Sequence, residues 1–534
     1  MRASAVRWWP YALGAATLVV FLFTGLRHLD TVPQVYEDEP WQASVGYKLA
    51  TQGVFGSDLF AGFYGMDQRY YGFMPLHPIL LAATFKLLGV GLAQARTETV
   101  LLTGVTLFLT FALGARLFNA AVGALAVALL VLVRWTGLTY VQLTGIPSVD
   151  FARIARYDAL VPVLGLSALH VYLSVTRADP APPLVPVTRW TETHLPPETR
   201  RVFGFAVAGA LAGLAGLAHV YGLFWVPTLM VLALATGQRR AAIPIALGAL
   251  IPWLPYATYV LTDLPDWRGQ MAIYASRFEL LNPRWYLSNL VQEYHRYGPG
   301  LGPFGLEWLA RPGFWFLLIA LPVSLVALCR RALHCVGAAR AVAIPALMLP
   351  LLFALLITLK LVNYTLVELP VFAIAVAWGL QTFWCAWPRF RFVLAAVLAA
   401  VALEGGVALL QLERAATTLT SYPTFVAEIR QSLPPGARVL GLHSYWLGLQ
   451  DHDYRSFLVP LNWADLGEPL DQALSDVDPD VVLLDQRMRA YFESLPPGGD
   501  GDRFNSWLAA HSAQLVARID DPTYGLMEIY RVSR

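Results

Sequence analysis

The sequence predicts an all-α transmembrane bundle of about eleven spans, with interfacial helices in its first external loop and a soluble α/β domain at the C-terminus. Three observations point there. Of its 534 residues, 57% are hydrophobic and only 14% charged, against roughly 25% charged in an ordinary soluble domain. Long apolar runs recur between residues 11 and 410 and then stop. From residue 428 onward, sixteen acids face nine arginines, a composition suited to water. The chain therefore divides into a membrane domain, 1–412, and a soluble domain, 413–534, that is long enough to bury a core of its own.

The elements follow in order. Arg2 and Arg7 precede the apolar run 11–26, an uncleaved first span, because no small-x-small site precedes the acids that follow and many more spans come after. Those acids stand in Tyr36-Glu37-Asp38-Glu39-Pro40-Trp41. Pro40 suits the start of a helix. Trp41, Val45 and Leu49 recur at i, i+4 and i+8, as expected of an amphipathic helix lying on lipid headgroups. A Gly- and aromatic-rich loop leads to the run 79–90, which is too short for the roughly 30 Å hydrocarbon core and reads as a second interfacial helix. Further spans are expected at 97–117, 120–133, 157–175, a hairpin turning at His219, 241–261, 313–328, 342–359, 364–384 and 392–410. With the N-terminus inside, the turns holding Arg116, Arg239–Arg240, Arg330–Arg331 and Arg389–Arg391, and the Pro-rich Arg177–Arg201 linker, all fall in the cytoplasm, in line with the positive-inside rule. The multi-pass protein then carries its C-terminal domain on the extracytoplasmic side. In that domain "FVAEIRQSL" reads as a helix and "ARVLGL", "DVVLLD" and "YGLMEIYRV" as strands.

Composition also excludes. A net charge of +2, with no basic tract and no zinc-spaced cysteines, gives no case for a nucleic-acid partner. Cys329, Cys335 and Cys385 lie in or beside cytoplasmic segments, so no disulfide framework is expected.

Charged residues at the outer membrane edge carry the chemistry. Arg153 and Arg156, in "RIARYDALV", are three apart and would share a helix face, where guanidinium groups match phosphate oxygens. The competing role for Arg156 is an ion pair with Asp158 or snorkelling. Lys360, Tyr364 and Glu368 fall at i, i+4 and i+8; Lys360 can neutralise a phosphate or snorkel, and Glu368 suits a hydrogen bond to a neighbouring helix. His77 in "PLHP" and His219 can each bind a phosphate or an acceptor hydroxyl, or serve packing alone. Asp38 and Glu39 either cap their helix or supply a base. Two histidines and scattered acids without close spacing make no metal site, so neither metal nor cofactor is expected.

The ordered set "DEP" with "YKLATQG", "HPILLAATFKLLG", "RIARYDALV" and "KLVNYTLVELPVFAIAVAWGL" resembles the polytopic GT-C glycosyltransferases, in particular the branch of the protein O-mannosyltransferases and the lipid A aminoarabinose transferase. The likeness covers most of the first 180 residues and the last membrane section. It implies a GT-C-type bundle and a sugar carried on a polyprenyl phosphate in the outer leaflet. That sugar would be transferred with inversion to an acceptor hydroxyl on a lipid, a glycan or a protein. Asp38 matches the family's catalytic acid, with Glu39 beside it, and Arg153, Arg156 and Lys360 fall at positions resembling its phosphate contacts. Where many relatives carry a Lys-Gly-Pro type turn, this chain has His219-Val220-Tyr221-Gly222. A lipid-linked sugar flippase or a non-catalytic binder of the lipid carrier is the alternative. Paired internal repeats, as in a secondary transporter, are not seen.

Overall fold

The computed structural model describes residues 2–138, 143–176, 196–297, 311–334 and 337–533. Most of the Pro-rich linker, including Arg177 and Arg189, and Cys335 lie outside the described residues. The chain opens with α1 (Arg2–Leu26), α2 (Asp38–Gln52), α3 (Leu76–Leu88), α4 (Leu92–Leu117) and α5 (Ala120–Leu132).

Among the described residues, eight helices are long and apolar enough to cross a membrane. The count is nine if the pair Arg239–Leu250 and Trp253–Leu261, bent by 44°, is one broken span. Two expected spans fall short: α5 has 13 residues, and Val220–Ala235 belongs to the shorter apolar helices. α5 is packed among α1, α4 and Leu369–Ala386, so its polar ends meet protein and it need not match the bilayer. Within α4 the hydroxyls of Thr103 and Thr110 return to the carbonyls of Thr99 (2.9 Å) and Thr106 (2.7 Å), which lets threonines lie in a span without an unmet donor.

Close helix contacts rest on small residues. A Cβ on Gly209 would stand 2.0 Å from the Ile245 carbonyl oxygen, and one on Gly213 2.3 Å from that of Ala249. The four-residue spacing lets Pro197–Ala218 and Ala242–Leu250 meet backbone to backbone. At the arginine-rich end, Arg201 bonds Gln238 (3.1 Å) and Arg340 donates to the Ala332 carbonyl (2.7 Å). The first loop, the segment after Thr262 and the C-terminal domain gather at the opposite end: Arg69 bonds Thr262 at 2.9 Å, and Arg455 donates to the Asp58 carbonyl at 2.7 Å.

The last membrane helix, Arg391–Thr418, runs directly into the small sheet domain. Its strands β1 (Arg438–Gly441), β2 (Asp453–Ser456), β3 (Val481–Asp485), β4 (Gln514–Asp521) and β5 (Gly525–Arg531) lie in the order β2-β1-β3-β5-β4. β1 is parallel to β2 and β3, and β5 is antiparallel to β3 and β4. The predicted helix and the strands β1, β3 and β5 are present; β2 and β4 had no apolar run to announce them.

This domain changes the place of α2. Val35, Val45, Phe60 and Phe63 from the first loop share one apolar core with Phe425, Tyr445, Trp446 and Val459. The helix expected to lie on headgroups is therefore covered by protein. Its polar residues Glu39, Gln42 and Lys48 are buried, Trp41 meets His443 edge-on at 5.4 Å, and Tyr47 meets Trp446 at 5.5 Å.

Candidate active site

Glu39 builds the frame. Its carboxylate takes both arms of Arg96 (2.7 Å each), the amide of Tyr36 (2.8 Å) and the amide of Ala155 (2.7 Å). Arg96 also holds the carbonyls of Leu29 and Pro33, both at 2.8 Å. Both side chains are wholly buried, so each has exchanged water for charge-assisted bonds that use its full capacity. The bond from the Tyr36 amide to Glu39 fixes the chain just before α2. The bond to Ala155 ties the start of α2 to an extended stretch, with Ile154 at φ −125°, ψ 123° and Arg156 at φ −136°, ψ 151°.

That extended stretch sends the two arginines to different places, not along the one helix face expected of them. Arg153 turns back to α1. It donates to the carbonyls of Arg27 (2.7 Å), Val32 (2.7 Å) and Gly25 (3.2 Å), meeting the acceptors that a helix end leaves over. At 1% exposure it has no group to offer a ligand. Arg156 faces Asp38 and pairs with its Oδ2. It also bonds Asp158 (2.8 Å) and the Tyr157 hydroxyl (2.9 Å), and lies against the Tyr36 ring at 5.1 Å. The second Asp158 oxygen accepts from the Tyr221 hydroxyl.

Asp38 differs from these buried partners. Its side chain is 24% exposed, and no donor among the described residues reaches Oδ1. Burial raises its pKa above the ordinary aspartate value, the Arg156 charge opposes this, and the carboxylates of Glu37 and Asp158 add to the rise. A carboxylate with a free oxygen and a raised pKa is equipped to accept a proton.

The histidines serve as walls. His219 stacks on Tyr157 (4.4 Å) and lies 5.8 Å from Tyr364, with Nδ1 accepting from the Tyr221 amide at 3.4 Å. Burial drops its pKa to about 3, so the ring is neutral and offers a phosphate no charge. His77 stands behind Tyr157, edge-on at 6.5 Å, and 3.6 Å from Glu98; its pKa is also lowered by burial to about 3.

A second charged cluster lies across Tyr364. The expected stripe through Lys360 and Glu368 is broken, because Val362–Val367 is a 3-10 helix and Lys360 precedes it. Lys360 bonds Glu293 (2.8 Å) and the Phe353 and Ala354 carbonyls (3.0 and 3.2 Å). Glu368 makes the expected link to another element, through Arg296 at 2.8 Å. Arg296 also bonds the Tyr297 hydroxyl (2.7 Å), and the Phe353 ring lies 4.5 Å from it and 6.0 Å from Tyr364. Sequence reasoning missed Arg296 and Glu293. Their i, i+3 spacing in "QEYHRY" was a signal for the pair, but nothing local announced Glu368, 72 positions on. Beyond Tyr297 a cavity of about 260 Å³ is lined by Phe314, Leu317, Leu321, Leu369 and Phe372. Among the described residues no group of three or more His, Cys, Asp or Glu comes together as a metal-ligand set.

No family model matches the sequence, and no curated protein matches it. Solved structures do. The crystal structure of ArnT from Cupriavidus metallidurans bound to undecaprenyl phosphate superposes with a TM-score of 0.62 at 15% identity, over 98% of this chain and 97% of that one. The Archaeoglobus fulgidus oligosaccharyltransferase tethered to an acceptor peptide gives 0.59 at 11% identity, over 99% of this chain and 74% of that one. The archaeal AglB in complex with an inhibitory peptide and a dolichol-phosphate gives 0.55 at 12% identity, over the same shares. These are GT-C glycosyltransferases. The chain is a multi-pass membrane protein with the GT-C fold.

Proposed function

We propose that the protein is an inverting glycosyltransferase that moves a sugar from a polyprenyl-phosphate donor to an acceptor hydroxyl on the extracytoplasmic side. The observation that carries this reading is the order of groups across the site. A partly exposed carboxylate, Asp38, lies on one side of a ring cluster of Tyr221, Phe353 and Tyr364, and Lys360 and Arg296, two cations each paired with Glu293, lie on the other. Next to that pair lies the apolar cavity at Tyr297. A donor fits this order with its sugar at Asp38, its phosphate at the cations and its isoprenoid chain in the cavity. The undecaprenyl phosphate bound to ArnT and the dolichol-phosphate bound to AglB support the donor class.

In the step, the acceptor oxygen attacks the anomeric carbon while its proton passes to Asp38 Oδ1. The bond from that carbon to the phosphate oxygen breaks, and the electron pair leaves with polyprenyl phosphate. Arg156 fixes the orientation of Asp38, and Lys360 and Arg296 stabilise the charge developing on the leaving group. Glu39 positions Arg156 and takes no proton.

The orientation follows from charge. Arg201, Arg239, Arg240, Arg330, Arg331 and Arg340 belong to the end away from Asp38, which the positive-inside rule assigns to the cytoplasm; a cysteine at Glu493 should be labelled from outside intact cells. The decisive experiment is turnover of a defined polyprenyl-phosphate sugar by the purified protein in lipid. Release of free polyprenyl phosphate with a new glycosidic bond is the expected result. Donor moved across the bilayer or retained intact would mean a flippase or a binder.

A further inference from the structure

In the second cluster one carboxylate has an unusual position. Glu293 bridges two cations: one oxygen lies 2.8 Å from Lys360 Nζ, and the other lies 2.8 Å from Arg296 Nε and also pairs with Nη2. A carboxylate held between a lysine and the fork of an arginine presents oxygens as one face of a phosphate does.

The two cations do not depend on Glu293 for their places. Lys360 is held by the Phe353 and Ala354 carbonyls at the end of Ala338–Leu356. Arg296 is pinned on its other edge by Glu368, and by the Tyr297 hydroxyl and the Phe353 ring. Glu293 is the replaceable member. Its side chain is 15% exposed where those of Arg296 and Glu368 are at 0%, and it stands in the turn between the short helices Pro283–Val291 and Tyr294–Tyr297. Charge points the same way. Two cations and two carboxylates are neutral together, and a sugar-phosphate-lipid diester bears one negative charge, so exchanging it for Glu293 leaves the cluster neutral.

We propose that Glu293 is the resident anion of the donor-phosphate cradle, occupying it in the free protein and displaced when the lipid phosphate enters. This rests on the reading that Lys360 and Arg296 bind that phosphate. Displacement subtracts from donor affinity, because the apparent Kd is the intrinsic one divided by the fraction of molecules with an open cradle. A cradle open in about one molecule in ten gives about a tenfold penalty, which loss of the competing charge removes.

The test is titration of the full-length protein in nanodiscs with mannosyl-phosphoryl-undecaprenol, a diester of single negative charge, read as Kd. Glu293→Gln should bind about tenfold more tightly than the wild type. Glu293→Asp, which keeps the charge but reaches less far, should fall between them; it also serves if the glutamine variant does not fold. Arg296→Ala and Lys360→Ala should bind more weakly. If Glu293→Gln binds as well as or less well than wild type while Arg296→Ala weakens binding, Glu293 is structural and the proposal is overturned with the phosphate reading intact. If neither cation variant changes the Kd, the phosphate is bound elsewhere and both readings are overturned.

Discussion

Asp38 and Glu39 are adjacent, both lie at the start of α2, and each is paired with an arginine, yet the two pairs are built differently. Glu39 and Arg96 are wholly buried, and the oxygens of Glu39 are all spent on the Arg96 fork and two amides. Asp38 and Arg156 keep an open edge, with 24% of the Asp38 side chain exposed. A saturated pair holds structure; an unsaturated pair on a rigid support can do chemistry. The same contrast separates the arginines of "RIAR", one spent on the end of α1 and the other turned to Asp38.

The largest expected effect breaks this comparison at Asp38. Asp38→Asn keeps shape and helix start but removes the proton acceptor, so sugar transfer should fall roughly 10²–10⁴-fold with unchanged expression and thermal unfolding. Near wild-type transfer by the purified variant would return Asp38 to a capping role.

Glu39 should behave in the opposite way. Glu39→Gln leaves Arg96 charged, buried and short of its partner, which costs on the order of 3–5 kcal/mol of stability. The expected result is a lower unfolding temperature and poor yield, with residual folded protein still turning over. Full stability together with lost transfer would move the base from Asp38 to Glu39.

The arginines and Lys360 sharpen the same division. Lys360→Ala should weaken donor use by about 1.5–3 kcal/mol, the worth of a charge-assisted contact to a buried phosphate. Arg153→Met should lower the unfolding temperature, because the carbonyls at the end of α1 lose their donors, while leaving donor KM in place. A raised donor KM for Arg153→Met at unchanged stability would restore it to the phosphate site.

How much of this the sequence disclosed depends on the range of the interactions. Membrane helices are local in origin, so apolar length and flanking arginines marked most of them. The strands β1 and β3 stood out because both faces are buried and their residues form apolar runs; β4, with an exposed outer half, did not. The apolar positions of α2 read as a face for lipid headgroups, whereas protein covers the helix, and that covering surface comes from Tyr445 and Trp446, some 400 residues later. Asp38 and Arg156 were visible as members of short charged clusters beside apolar runs. That Arg153 would turn away needed the backbone at Ile154 to be extended, and that follows from the Glu39 bond to Ala155, a contact between residues 116 apart.

The smallest expected effect concerns the open pair itself. If Asp38 accepts the proton, it must be ionised, so transfer should rise with pH through the Asp38 pKa and fall on acidification. That acid limb should lie above the pKa of an ordinary aspartate, about 3.9, because burial and then the nearby Glu37 and Asp158 charges raise it while Arg156 alone opposes. His219, neutral with a pKa of about 3, adds no step near pH 6–7. Glu37 gives a clean handle, since its half-exposed side chain pairs with Arg487 at 2.7 Å and lies outside the frame made by Glu39. Glu37→Gln removes one negative neighbour of Asp38, and this change favours the ionised form. The acid limb of kcat/KM should therefore move to lower pH, with the plateau rate nearly unchanged. A limb that stays in place or moves upward would show that the titrating group is not Asp38, and the open pair would lose its claim to the chemistry even if Asp38→Asn were inactive.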